Sequence, residues 1–152
     1  MFRRYIAPFI VAVAIAGAAR IASAQTAVIV HRANAVSNLS AEDLRRVFLG
    51  KTTTAASGQP IVVVELTTIR ARFCKSLLGL SADEVRRRWV GLVFRGDALA
   101  FPYELADAAA VKKFVAEHPG AVGYIPSSDA DETVKIVRID GKLPGDAAYL
   151  LK

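Results

Sequence analysis

Cysteine is nearly absent from this sequence. Cys74 is the single thiol in 152 residues, so no disulfide can form within the chain. It sits beside Phe73 in a helical pattern, where a small buried hydrophobe is the expected role. Histidine is also scarce: His31 and His118 lie far apart, and neither has a neighbouring cysteine or the spacing of a metal-ligand pair, so no metal site is expected. There is no Gly-x-Ser-x-Gly elbow and no His-Glu-x-x-His. With no paired catalytic groups, an enzyme is not expected, and no cofactor is implied. No Pro- or Ser-rich linker divides the chain, which reads as one domain.

Long apolar runs are missing too, with one short exception at the start. Arg3 and Arg4 are followed by the apolar stretch 6–19 and then by Ala22-Ser23-Ala24. A charged start, a short apolar run and small residues at the cleavage position are the pattern of a signal peptide. The run is shorter than the ~20 residues of a membrane span, and Arg20 ends it. The expectation is a signal peptide over residues 1–24, cleaved after Ala24, and an exported, periplasmic domain over residues 25–152. Without Arg3, Arg4 and Arg20, 17 basic residues face 14 acidic ones, a net charge of +3. So small and dispersed an excess gives no footprint for nucleic acid.

What is present alternates between two periods. Residues 26–31, 61–66, 121–126 and 133–140 are short β-rich runs and predict strands. Between them lie four helical patterns. Residues 39–50 have Ser40 as N-cap, an apolar stripe of Leu44, Val47 and Phe48, and Gly50 as the stop. Residues 67–79 have Thr67 or Thr68 as N-cap and Phe73, Leu77 and Leu78 facing inward. Residues 81–94 open on a Ser81–Glu84 capping box with Val85, Trp89, Leu92 and Val93 as the stripe. A fourth helix, within 104–120, takes Asp107 as N-cap and stops at Pro119-Gly120; Asp140-Gly141 marks a turn. Alternating strands and helices define an α/β class with a mixed or mostly parallel sheet. The segments 39–48 and 80–89 resemble each other, which two similarly capped amphipathic helices explain without duplication.

Three segments suggest chemistry. Gly50-Lys51-Thr52 resembles the tail of a phosphate-cradling loop, but that motif needs a glycine where Arg45 stands and must open a helix rather than close one. Arg86-Arg87-Arg88 sits on the polar side of the Trp89 stripe and reads as a solvated helix face. Residues 65–73, ELTTIRARF, run from a strand straight into a helix whose start carries Thr67, Thr68 and Arg70. Unpaired backbone N–H groups, hydroxyls and a guanidinium there fit an oxyanion; they also fit an ordinary threonine cap with surface arginines.

In order and spacing, the segments VIVHRANAVSNLSAEDLRRVFLGK, GQPIVVVEL, RARF, RRRWVGLVFRG and PGAVGYIP resemble short periplasmic-binding-protein-like proteins related to phosphate ABC transporter substrate-binding proteins. The resemblance runs from about Val28 to Pro126. It implies an α/β fold, a single periplasmic-binding-protein-like (type 2) domain with a mixed sheet flanked by helices. It also implies binding of phosphate or a related oxyanion for ABC-type uptake, and an ABC permease or other membrane protein as partner. The ligand is then expected at Thr67, Thr68 and Arg70, with Asn34 and Ser37 as rim donors. There are departures from the family pattern. Its helix opens on Ser-Gly-Thr with an Arg four residues earlier; here Thr67, Thr68 and Ile69 stand at those three positions and Val63 at the Arg. The alternative is an accessory module that keeps the fold, binds no ligand and meets a protein partner.

Overall fold

The computed structural model describes residues 25–152; the expected signal peptide, residues 1–24, lies outside the described residues. Strand β1 (Thr26–Val30) is wholly buried, and a short β2 (Asn38–Leu39) follows its loop. Helix α1 (Ala41–Phe48) begins where the Ser40 hydroxyl accepts the Asp43 N–H and the Asp140 carboxylate accepts the Ala41 N–H. Two of the helix's four orphan donors are thereby satisfied. The helix ends at Gly50, whose φ of +68° is left-handed. A Cβ there would stand 2.5 Å from the Leu92 side chain and 3.1 Å from Trp89, so glycine suits both the backbone and the space.

Strand β3 (Val62–Leu66) leads into α2 (Arg70–Leu78). Next come α3 (Ala82–Phe94), a three-residue β4 (Tyr103–Leu105) and α4 (Ala108–Glu117). The Ser81–Glu84 capping box is formed in full, and Asp107 caps α4 by accepting the Ala110 N–H. β5 (Ala121–Pro126), β6 (Lys135–Ile136) and β7 (Arg138–Ile139) complete the strands of the described residues.

Five strands form one sheet in the order β4-β3-β5-β1-β6. β3 runs parallel to both β4 and β5, whereas β1 is antiparallel to β5 and β6, so the sheet is mixed. Helices cover both of its faces. A Cβ on Gly123 would touch Val111 of α4 at 3.1 Å, so α4 lies close over that face. The next residue, Tyr124, points the other way, where its ring stacks on Phe73 of α2 (centroids 3.7 Å apart) and leans on Phe48 of α1. α1 and α3 meet where the Trp89 indole N–H donates to the Phe48 carbonyl over 3.0 Å.

Three sequence expectations change. Residues 133–140 are not one strand: β6 pairs with β1, while β7 pairs with β2 in a separate two-stranded sheet, and Val137 between them donates to Val28. β2 and β4 overlap the starts of the helical patterns 39–50 and 104–120; strands of two or three residues carry too little periodicity to show. The third change concerns α2. Neither Thr67 nor Thr68 caps it: they form a turn with Ile69, which occupies the N-cap position without any side-chain hydrogen bond.

Candidate functional site

The sequence draws attention to the start of α2, and its geometry follows from the turn before it. β3 ends at Leu66. The Thr67 N–H donates to the Leu105 carbonyl of β4, and the Ile69 N–H to Leu66. Those two bonds hold the chain one residue too long for a threonine cap, so the Thr67 and Thr68 side chains stand exposed. The first turn of α2 contains no acidic residue, whereas α1 has Glu42 and Asp43 there and α3 has Asp83 and Glu84. The positive end of the α2 dipole is therefore uncompensated by its own helix.

Arg70 opens α2, and its charge is engaged. The guanidinium lies 3.5 Å from the Glu65 carboxylate and donates a shorter bond to Glu104. Arg86 of α3 reaches Glu104 from the other side at 2.8 Å. Two arginines and two glutamates thus make a neutral cluster. Glu65 is its buried member, with 8% of its side chain exposed. Burial raises its pKa above the usual carboxylate value, with the Arg70 charge opposing. Glu104 moves the other way, held low chiefly by its hydrogen bond from Arg86. Behind the cluster, burial also pushes the Cys74 thiol up to about 11, a value that keeps it protonated and inert, as its helical position suggested. The Tyr124 hydroxyl is buried there without a hydrogen-bond partner among the described residues.

The cluster closes one end of a groove of about 590 Å³ between α3 and the segment leading into β4. Val85, Trp89, Val90, Phe101 and Tyr103 make its apolar walls, and neither Thr67 nor Thr68 lines it. The threonines and the groove flank Arg70 without sharing a surface.

Asn34 and Ser37 do not join this site. Because β1 is antiparallel to β5 and β3 is parallel to it, the loop after β1 lies at the end of the sheet where β3 begins. The start of α2 is at the opposite end. In that loop the Asn34 side chain accepts the Val36 N–H, and the Lys135 ammonium donates to the Asn34 carbonyl and to the Ser37 hydroxyl. Both residues therefore serve to fold their own loop. Sequence reading also passed over Glu65 and Glu104, the two carboxylates that share Arg70. An acid inside the otherwise apolar run 61–66 was the available signal, since a buried carboxylate needs a partner.

No protein-family model matches the chain. The fold, however, is similar to several solved structures. One is an ABC-type phosphate transport receptor from Vibrio cholerae, with a TM-score of 0.63 and 23% identity over 79% of this chain and 48% of that one. Another, from Clostridium perfringens and holding bound phosphate, is described as a phosphate ABC transporter substrate-binding protein; it gives 0.64 and 24% over 78% and 46%. PstS from Borrelia burgdorferi gives 0.59 and 12% over 79% and 49%. The chain thus shares its α/β fold with part of each of these structures. The first two structures are named for transport and substrate binding rather than for catalysis. The chain spans about half the length of these structures.

Proposed function

We propose that this chain is an exported, non-enzymatic solute-binding-like protein that takes phosphate or a related oxyanion at the start of α2. The observation that carries the reading is the bare N-terminus of that helix. Ser40, Ser81 and Asp107 cap α1, α3 and α4, while α2 has neither a side-chain cap nor an acid in its first turn. Backbone N–H groups and the dipole there suit an anion, and the Thr67 and Thr68 hydroxyls stand beside them as further donors. Arg70 adds charge from the groove side, tempered by Glu65 and Glu104. Asn34 and Ser37 take no part. Cleavage after Ala24, a periplasmic location, and delivery to an ABC permease for phosphate uptake complete the proposal; the pattern of residues 1–24 supports the first, and the fold shared with phosphate receptors supports the other two.

One observation favours a second reading, that of an accessory module without a ligand. The arginine nearest the site is already neutralised by two carboxylates, and exposed aromatic side chains beside the groove suit a protein partner. Calorimetric titration separates the two. The purified protein is titrated with phosphate, sulfate and a neutral sugar, alongside an Ala71→Glu variant that places an acid in the helix's first turn. Heat from oxyanions alone, abolished in the variant, supports the receptor. Flat traces at millimolar phosphate leave the accessory module.

A further inference from the structure

Among the described residues, every large apolar side chain that is substantially exposed falls within one stretch: Val90, Phe94, Leu99, Phe101 and Tyr103. Phe94 is 84% exposed and Leu99 93%. Val90 and Phe94 are one helical turn apart on the same side of α3, and Val90, Phe101 and Tyr103 wall the same groove. These residues form a ridge that exposes roughly 600 Å² of mostly apolar surface, at the upper end of the largest patch a monomer usually shows. It runs to β4, the edge strand of the five-stranded sheet.

We propose that this ridge is the contact face of a homodimer, in which a second copy of the chain lays the same ridge across it and roofs the groove. Two observations select a second copy as occupant. Charges of both signs border the ridge, with Arg86 paired to Glu104 and Arg95 to Asp97 at 2.9 Å. A face of that kind meets itself without like-charge repulsion and offers nothing to a partner of one sign. Its apolar area approaches the ~800 Å² each partner contributes to a standard interface. A patch that is single and self-complementary implies a two-fold arrangement in which each ridge buries the other.

The test is mass against concentration, by sedimentation equilibrium or light scattering, and is independent of whether phosphate binds. The mass is expected to rise from one chain to two as concentration increases from about 1 to 200 µM, the range for a modest interface. Phe94→Asp and Leu99→Asp, each placing a charge in the contact, should weaken association about tenfold or more while leaving circular dichroism unchanged. Glu132→Lys, at an exposed turn beside β6 on the opposite edge of the sheet from β4, should leave the curve as in the wild type. A monomer at every concentration overturns the proposal, whether residues 6–19 or a different protein covers the ridge. So does a dimer that the two ridge variants leave intact.

Discussion

Arg70 and Glu65 face each other across 3.5 Å at the junction of α2 and β3, and the carboxylate is the more deeply buried of the two. The pair sets the character of the proposed site. An arginine that would otherwise offer its full charge to an anion shares it with Glu65 and Glu104, so binding depends chiefly on helix N–H groups and threonine hydroxyls. Phosphate binding without a fully committed guanidinium should be weaker than in a closed, desolvated pocket.

The Glu65 carboxylate carries a stability cost with a definite pH sign. Its folded pKa is raised, so its contribution is most favourable below the unfolded value near 4.5 and is lost as pH rises through the folded value. Glu65→Gln should therefore gain stability relative to wild type at pH 7, and the gain should shrink toward pH 4. Arg70 keeps Glu104 as partner in that variant. Denaturant melts at the two pH values measure the difference.

Caps and threonines should separate cleanly. Ser81→Ala removes half of a complete capping box and should cost about 1 kcal/mol in urea unfolding. Thr67→Val and Thr68→Val, at exposed side chains that cap nothing, should change stability by less than about 0.5 kcal/mol. The same two changes should lower phosphate affinity. Equal destabilisation by all three would restore a threonine cap to α2.

Trp89→Phe keeps most of the apolar contact but withdraws the indole donor from the buried Phe48 carbonyl, one of the orphan acceptors at the end of α1. The expected loss is about 1–3 kcal/mol. Gly50→Ala acts on the same junction by a different route. It forces a side chain into a left-handed backbone and against Leu92, and should cost at least about 1 kcal/mol. Thermal unfolding followed by near-ultraviolet circular dichroism would report both.

Capped, amphipathic helices were the legible part of this fold. Ser40, Ser81 and Asp107 stand where side-chain chemistry alone decides where a helix begins, and the similarity of 39–48 to 80–89 is that chemistry used twice. α2 escaped the same logic, because the Thr67–Leu105 bond to a neighbouring strand, not a local hydroxyl, sets its start. β4, which supplies that bond, is three residues long and has no readable period. Loop positions were least legible. Asn34 and Ser37 matched an expected composition, but only the antiparallel pairing of β1 with β5 reveals that their loop is at the far end of the sheet. The exposed ridge was hidden for a similar reason. Val90 and Phe101 read as ordinary apolar residues until the fold leaves them uncovered.

The central claim is that an oxyanion binds at the start of α2, and amide-resolved NMR during a phosphate titration tests it most directly. The account expects saturable shifts concentrated in the amides of residues 67–72, with those of Asn34, Ser37 and Lys135 unmoved. Spectra unchanged at millimolar phosphate, or shifts centred on the loop after β1, would contradict it.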